Sequence, residues 1–279
     1  EIETLLLATP DNADSTRQRV FEMLSDHPLK VKTIPSISSL ISGEFEITEL
    51  KDIKIEDLLG RDPVQPNPEL MAKTIVNKTV LVTGAGGSIG SELCRQIIRW
   101  KPRKLILLDI SEFAIYTLLE ELRHHTSSHK IDLIPLIGSV QDRQFVKKIF
   151  DRFSADTIYH AAAYKHVPLI ENNPFSAIKN NFLDTFEFMK LAKLNNVAYF
   201  CFISSDKAVR PTNIMGASKR LSEIALKYLD NLPNHKTIFS SVRFGNVINS
   251  SGSVMPLFKY KIDNNLPLTL THKKIIRYF

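Results

Sequence analysis

Residues 79–90 read TVLVTGAGGSIG, and this stretch decides the fold of the chain. A short apolar strand leads into three glycines with the spacing Gly84-x-x-Gly87-x-x-Gly90, and a helical pattern begins at Ser91. Glycine permits a tight turn close to phosphates, while a helix N-terminus offers unpaired N–H groups and a positive dipole end. The stretch therefore predicts a dinucleotide-binding strand–turn–helix. A glycine-rich hairpin is the alternative, which the flanking strand and helix patterns disfavour.

The composition indicates a globular protein without a nucleic-acid-binding arm. The chain has 279 residues, of which 43% are hydrophobic, enough to form a core. Its net charge of +6 is scattered, which suits a small anionic substrate but not a nucleic acid. Cys94 and Cys201 lie in apolar patterns and are predicted to be buried free thiols in a reducing compartment. The sequence contains no membrane-spanning apolar run and no signal peptide.

The patterns divide the chain into three segments. Residues 1–46 are interpreted as part of a small α/β, nucleotide-binding-like module, and residues 47–77, which contain several prolines, as a linker. Residues 78–279 are predicted to be an NAD-binding catalytic domain. Because the chain has no initiator Met and stops without a closing element, we expect a fragment that is also truncated at the C-terminus.

Strands and helices alternate from Lys78 onward. The predicted strands are 79–83, 104–109, 132–136, 157–160, 198–204 and 238–243. The predicted helices lie near 89–100, 111–124, 141–153, 174–195 and 214–230. Buried apolar strands that alternate with helices imply an α/β fold with a Rossmann-like, doubly wound parallel sheet.

Residues at the ends of the next three strands complete the predicted cofactor site. Asp109 can accept hydrogen bonds from ribose hydroxyls and would repel a 2′-phosphate, which favours NAD over NADP; capping the helix that begins at Ser111 is the alternative. Small side chains at 161–163 let the backbone lie against the cofactor, although ordinary tight packing explains them too. The predicted cofactor-binding residues are Gly84, Gly87, Ser88, Ile89, Gly90, Asp109, Ser139, Val140, Ala161, Ala162, Ala163 and Lys219.

Residues 203–220, ISSDKAVRPTNIMGASKR, place ionisable groups at the carboxyl end of an apolar strand. Open α/β sheets bind their ligands at this edge. Asp206 and Lys207 are adjacent, so a carboxyl group and an amine can serve as acid and base, each altering the pKa of the other. A solvated surface pair is the alternative.

The glycine spacing resembles that of short-chain dehydrogenase/reductases. That superfamily carries Ser or Thr at a strand end and then Tyr-x-x-x-Lys on the next helix, where the lysine binds the nicotinamide ribose and the tyrosine acts as base. Lys219 occupies the lysine position here, but Met215 occupies the tyrosine position and has no proton to exchange. The middle residue of Gly138-Ser139-Val140, often Asp in that superfamily, would contact adenine only weakly.

The chain resembles bacterial UDP-N-acetylglucosamine 4,6-dehydratases of the polysaccharide-biosynthesis family, in their long, methionine-containing branch. The resemblance rests on residues 83–97, 161–174, 204–220, 243–258 and 268–279. It implies that NAD oxidises the sugar at C4, water leaves across C5–C6, and hydride returns to C6 to give a UDP-4-keto-6-deoxy sugar. Asp206 would protonate the leaving hydroxyl, Lys207 would remove the C5 proton, and Ser205 would bind the C4 oxygen. The base for the C4 hydroxyl stays open between Asp206, Lys207 and a water.

The resemblance also implies the substrate contacts. The sugar pocket would be lined by Tyr164, Lys165 and His166, although a structural role for His166 is equally consistent. Asn246 and Ser253 would contact the substrate, and Arg277 would bind its diphosphate. Position 251 is Ser where the family often has Arg, and for Arg243 we favour a structural ion pair.

For the whole protein, the resemblance implies a role in bacterial glycan synthesis, such as capsule or lipopolysaccharide. The catalytic domain is expected in the cytoplasm, anchored to the inner membrane through segments absent from this chain. A homo-oligomer is expected, as a dimer built from the helices at 174–195 and 214–230 or as a higher assembly. A nucleotide-sugar epimerase and a non-catalytic NAD-binding module are the alternative functions.

Overall fold

The structure is a computed structural model of the chain that divides into two compact units between residues 65 and 66. It describes residues 4–7, 19–20, 23–24, 30–33, 51–52, 64–126, 131–233, 235–247, 250 and 254–269. The predicted strand at 3–9 and the predicted helix near 15–25 are described only in part, and the short helix predicted at 36–41 lies outside these ranges.

The first unit contains a three-stranded sheet. Strand β1 (Thr4–Leu7) pairs in parallel with β2 (Lys30–Thr33), which pairs antiparallel with β3 (Lys51–Asp52). Residues 19–20 and 23–24 are helical. The third strand lies in the segment that we interpreted as a linker, so the sheet of this unit extends past residue 46.

The second unit contains a six-stranded parallel sheet with the order β6-β5-β4-β7-β8-β9. Its strands are β4 (Thr79–Thr83), β5 (Lys104–Asp109), β6 (Asp132–Ile137), β7 (Thr157–His160), β8 (Tyr199–Ile203) and β9 (Ile238–Val242). This order reverses between β4 and β7, and such a switch point opens a crevice at the carboxyl ends of the strands. The predicted Rossmann-like fold is confirmed.

Helices cover both faces of this sheet. They are α1 (Pro68–Thr74), α2 (Ser88–Arg99), α3 (Glu112–Thr126), α4 (Arg143–Phe153), α5 (Val167–Asn172), α6 (Pro174–Ile178), α7 (Thr185–Leu194), α8 (Ile214–Asp230) and α9 (Val254–Asp263). Asn67, Asp142 and Asn213 cap α1, α4 and α8 with their side-chain oxygens.

The central strand β4 is buried along its whole length and supplies both cores. Val80 and Val82 point to one face, where they pack with residues of α2 and α3, whereas Leu81 points to the other face, among residues of α4, α7 and α8. Since strand side chains alternate between faces, a strand covered by helices on both sides must be apolar throughout. This explains why TVLVT shows no polar alternation.

The predicted helix at 174–195 is the clearest departure from the sequence analysis. Residues Lys179–Asp184 form a π-helix between α6 and α7, so the segment has three parts. The wider turn lets the side chain of buried Asn181 bond to neighbouring elements rather than continue a regular apolar face. Helices α1, α5 and α9 were not predicted.

Two further expectations concern the cysteines and the membrane. Cys94 is a buried free thiol, as predicted, whereas Cys201 is a free thiol that is only half-buried. Within the part of the chain that the structure describes, every helix is too short or too polar to cross a bilayer.

Candidate active site

The glycine turn after β4 brings three segments into van der Waals contact. Gly84 has φ +67°, and a Cβ there would lie 2.7 Å from the backbone N of Ala162. A Cβ on Gly90 would lie 2.0 Å from the Gly84 carbonyl oxygen. A larger residue at either position therefore has no room, and the glycines fix how closely α2 and the residues after β7 approach the turn.

A cavity of about 400 Å³ opens beside this turn, at the carboxyl ends of β4, β5, β6 and β7. We call its lining the cofactor wall: Gly84, Gly87, Leu108, Asp109, Ile110, Gly138, Ser139, Val140, Gln141, Ala161, Ala162, Ala163, Tyr164 and Asn180. The wall unites most of the predicted cofactor residues. Ser88, Ile89 and Gly90 instead form the first turn of α2.

Asp109 lines the cavity and also stabilises the glycine turn through a hydrogen bond. Its Oδ2 accepts a hydrogen bond from Gly86 N at 2.9 Å, and its Oδ1 accepts one from Ser111 N at 3.0 Å. Each carboxylate oxygen can accept a second bond, so ribose hydroxyls can still be bound. The two roles weighed from the sequence are thus compatible in one side chain.

The cofactor wall fits a dinucleotide. The space that a Cβ at Gly84 would fill is left open, the facing residues after β7 are alanines, and an acceptor stands at the end of β5. These are the features that admit a pyrophosphate and an adenosine ribose. The Ser139 hydroxyl accepts a bond from Gln141 N at 3.1 Å and so also stabilises its own turn.

A second group of polar residues, which we call the polar corner, consists of residues 203–207, 215–223 and 242–246. Ser205 caps a short 3₁₀ turn over Asp206–Ala208. The Lys207 amine donates to Asp206 Oδ1 at 2.9 Å, as does the Ser205 hydroxyl at 2.9 Å. Lys207 also reaches Asn246 Oδ1, at 3.5 Å. The structure therefore brings together the predicted acid, amine and hydroxyl.

The charge state of this pair follows from its contacts. Burial alone would raise the pKa of Asp206, but the hydrogen bonds from Lys207 and Ser205 outweigh it, so that the pKa of Asp206 is lowered. The side chains of Lys207 and Asp206 are 36% and 50% exposed. In this state Asp206 is a carboxylate and Lys207 an ammonium, both open to solvent.

Lys219, in contrast, is buried. Its amine donates to the Ile203 carbonyl oxygen at 2.8 Å and lies 4.5 Å from the centroid of the Phe202 ring. Burial lowers the pKa of Lys219 to about 7, although the carboxylate of Glu223 counteracts this effect. The amine of Lys219, on α8, therefore lies at the carboxyl end of β8, two residues before Ser205 in the chain.

Met215 and Gly216 begin α8 beside the 3₁₀ turn. Met215 packs with Ile170 and Ala177 in a small apolar cluster, so the tyrosine position is occupied by a packing residue. A Cβ on Gly216 would lie 2.1 Å from the Lys207 carbonyl oxygen. Glycine at position 216 therefore allows the turn that carries Asp206 and Lys207 to lie against the N-terminal end of α8.

Two asparagines of the π-helix belong to the site, and the sequence analysis missed them. Asn181 is fully buried; its side chain accepts from Tyr164 N at 2.8 Å and donates to Tyr164 O at 3.0 Å and to Ser218 Oγ at 3.2 Å. Asn180 lines the cavity and accepts from Gln141 Nε2 at 2.7 Å. The pair therefore joins the cofactor wall to α8. The sequence signal for them was a pair of adjacent asparagines within a segment predicted to be helical.

The predicted substrate residues divide into three groups. Lys165 and His166 follow Tyr164 at the rim of the wall, where burial lowers the pKa of Lys165 and where His166 holds the N-cap position of α5. Asn246 lies beside Lys207. Ser253 and Arg277 lie outside the described residues.

Arg243 forms the structural ion pair that we favoured. Its guanidinium donates to both carboxylate oxygens of Glu223, from Nε at 2.7 Å and from Nη2 at 2.5 Å. Among the described residues, we find no cluster of side chains suited to a metal ion.

The sheet order, the glycine turn and the cavity at the switch point define a Rossmann-type, dinucleotide-binding domain of the short-chain dehydrogenase/reductase kind. More narrowly, the chain belongs to the polysaccharide biosynthesis protein family, which matches residues 80–279. The predicted family membership is confirmed.

Individual relatives agree with this assignment. The chain is 44% identical to the capsular polysaccharide biosynthesis protein CapD of Staphylococcus aureus, across 100% of this chain and 46% of that protein. It is 35% identical to a UDP-glucose 4-epimerase of Rickettsia bellii, across 73% of this chain and 59% of that protein. The structure of Pen from Bacillus thuringiensis is 33% identical, with a TM-score of 0.68 over 73% of this chain and 63% of that one. The chain spans about half the length of the CapD relative.

Proposed function

We propose that the whole protein is an NAD-dependent nucleotide-sugar 4,6-dehydratase that acts on UDP-N-acetylglucosamine. The observation that carries the proposal is the ion-paired Asp206 and Lys207 on the turn that packs beside the start of α8, where Met215 holds the position of the usual catalytic tyrosine. A dehydratase needs an acid for the leaving hydroxyl and a base for the C5 proton. An adjacent carboxyl group and amine can supply both.

The proton positions that these roles require follow from desolvation. In the open site the pair is charged, whereas the roles need a protonated Asp206 and a neutral Lys207. A bound sugar would cover both side chains, and exclusion of water disfavours separated charges more than a neutral pair. Transfer of one proton along the 2.9 Å hydrogen bond produces the two required forms. We infer that substrate binding drives this transfer.

The remaining residues hold the sugar and the cofactor. When bound, NAD supplies the reversible oxidation of the sugar, in which two electrons leave C4 and later return at C6. We assign the Ser205 hydroxyl to the C4 oxygen and Lys219 to the nicotinamide ribose, as the resemblance implies. The glycine turn and Asp109 would hold the pyrophosphate and the adenosine ribose.

A nucleotide-sugar epimerase is the second candidate, and one relative's name favours it. An epimerase returns hydride to C4 and therefore loses no atoms, but it still needs a base for the C4 hydroxyl. Dehydration needs that base too, and Met215 can serve in neither reaction. Only dehydration also needs an acid and a base for C6 and C5, which the Asp206–Lys207 pair can supply, and this is why we favour it. The catalytically inactive, NAD-binding alternative predicts cofactor binding without any product.

Mass spectrometry of the product separates the three functions. We would incubate the full-length protein with NAD and UDP-N-acetylglucosamine and measure the mass of the nucleotide sugar. Loss of one water supports the dehydratase. A new isomer of unchanged mass supports the epimerase and rejects our proposal, as does an unaltered substrate in the presence of bound NAD.

Several properties of the parent protein form part of the proposal. We infer that it contributes to a bacterial surface polysaccharide such as capsule, that the catalytic domain faces the cytoplasm, and that segments outside this chain anchor it to the inner membrane. We also propose a homo-oligomer and a chain order of α/β module, linker and NAD-binding catalytic domain. Fractionation of the full-length protein between membrane and soluble phases tests the anchor.

A further inference from the structure

The Glu223 carboxylate is a buried charge that the proposed chemistry does not use. Glu223 is 7% exposed, and its oxygens accept hydrogen bonds from Ser204 Oγ at 2.7 Å, Arg220 Nη1 at 3.0 Å and the fork of Arg243. Burial would raise the pKa of Glu223, but these donors, with Arg243 foremost, lower it to about 2. A buried carboxylate with this many charged donors is ionised and rigidly held.

Two of these donors, Ser204 and Arg243, come from the other two chain segments of the polar corner. Ser204 directly precedes the Ser205–Lys207 turn, and Arg243 precedes the segment that ends at Asn246. The two segments are also bonded through their backbones, from Ser204 N to Val242 O at 2.8 Å and from Asp206 N to Phe244 O at 3.0 Å. Glu223, on α8, thus binds the residue that follows β8 and the residue that follows β9, next to the turn that carries Asp206 and Lys207.

The same carboxylate is linked to Lys219. The two residues are four apart on α8, which places them on one face of the helix. The negative charge of Glu223 opposes the effect of burial on Lys219. One side chain therefore touches the acid–amine turn through Ser204 and acts electrostatically on the buried lysine.

We propose that Glu223 is a positioning residue for the 4,6-dehydratase: it fixes the Asp206–Lys207 turn relative to Lys219 by binding Ser204 and Arg243. The inference rests on the proposed function. Glu223 itself touches neither sugar nor cofactor. Its carboxylate sets the distance between the Asp206–Lys207 pair, which acts on C5 and C6, and Lys219, which binds the nicotinamide ribose. A reacting group that is misplaced by about 1 Å can lower turnover roughly 100-fold.

The test compares Glu223→Gln with the surface variant Glu120→Gln in the full-length protein. Glu120 also pairs with an arginine, but its side chain on α3 is 44% exposed, so the control removes the same charge outside the polar corner. We expect Glu223→Gln to lower kcat for dehydration roughly 10- to 100-fold while KM and NAD affinity change less than about threefold. Loss of the negative charge should lower the pKa of Lys219 further, so we expect an alkaline limb of kcat, set by loss of the Lys219 proton, to move to lower pH. Glu223→Asp, which keeps the charge, should restore that limb and part of kcat.

A purely structural role predicts a different result. Glu223→Gln would then lower only the melting temperature, with kcat per folded molecule and the pH profile unchanged, and this outcome rejects the inference. If Glu223→Gln does not fold, Ser204→Ala removes the single bond to the turn; a kcat loss of about threefold or more at constant KM supports the inference, and a smaller loss rejects it. Absence of dehydration in the unmodified protein would reject the proposed function instead.

Discussion

The cofactor wall and the polar corner are built in opposite ways. The wall contains much backbone and many small side chains. Its shape depends on the absence of a Cβ at Gly84 and on the short side chains of the alanines after β7. The corner consists of long charged side chains from three segments, held by bonds such as the one between Ser204 and Glu223. A wall of this kind recognises a rigid ligand by shape, whereas the corner performs chemistry that depends on proton positions.

Removal of a functional group from the corner should have the largest effect. We expect Asp206→Asn and Lys207→Ala each to lower kcat for dehydration by about 10³-fold, because each removes one member of an acid–base pair. NAD affinity should stay within about threefold, since neither side chain belongs to the wall. Steady-state kinetics and cofactor titration measure the two quantities. Near wild-type turnover in either variant would contradict the assigned role.

Addition of one methyl group to the wall should have the next largest effect. Gly84→Ala forces an L-residue into left-handed backbone, at about 1–2 kcal/mol, and places its Cβ against Ala162 N. We expect NAD affinity to fall roughly 30-fold or more. Gly245→Ala is the matched control, because a Cβ there meets nothing within 4 Å. Equal NAD affinity in both variants would show that the turn does not approach the cofactor.

A pH-dependent stability measurement examines the buried amine of the corner. Unfolded Lys219 keeps its proton up to its ordinary pKa of 10.5, whereas folded Lys219 loses it at about 7. Between these values the unfolded state binds more protons, so the stability of the wild type rises with pH relative to Lys219→Met, by up to about 1.4 kcal/mol per pH unit. Below pH 7 Lys219 is protonated in both the folded and the unfolded state, so the folded protein bears the full free-energy cost of burying its charge. Lys219→Met should then be the more stable protein.

Urea unfolding of both proteins from pH 6 to pH 9 measures this difference. A stability gap that does not vary with pH would mean that Lys219 stays charged in the folded protein.

The smallest effect is expected at Met215. This residue lies in segment 215–223 of the polar corner, but its side chain packs in an apolar cluster. Met215→Leu conserves volume and should cost less than about 1.5 kcal/mol and change kcat less than threefold. Met215→Tyr should be less stable, because the ring exceeds the space beside Ile170 and Ala177. Thermal melts and product formation test both. Loss of turnover in the leucine variant at full stability would show that the thioether takes part in the reaction.

The sequence predicted the wall better than the corner, for a physical reason. A turn such as Gly84-x-x-Gly87-x-x-Gly90 is specified by local backbone requirements, so its residues are contiguous and recognisable. All six strands of the large sheet were predicted within about one residue. The central strands β4 and β5 are the clearest, because buried parallel strands are continuous apolar runs. The acid–amine pair was identified from its position after an apolar strand, but the role of each member came only from the resemblance to known dehydratases.

What the sequence could not give were the contacts between distant segments. Nothing in the local pattern distinguishes Glu223 from other acidic residues of an amphipathic helix, and its partners Ser204 and Arg243 lie about 20 residues away on either side. The π-helix was missed for the opposite reason: its sequence is compatible with an ordinary helix, and tertiary bonds of Asn181 select the wider turn.

The wide turn at Lys179–Asp184 limits where this domain can change its length. Deletion of one residue there would give a regular α-helix and would rotate the preceding segment by about 100° relative to α7. Asn181 would swing away from Tyr164, and Ala177 would leave Met215. Insertions and deletions should therefore be far rarer at 179–184 than in the surface loop after α7, and a comparison of gap positions among related sequences would show the depletion.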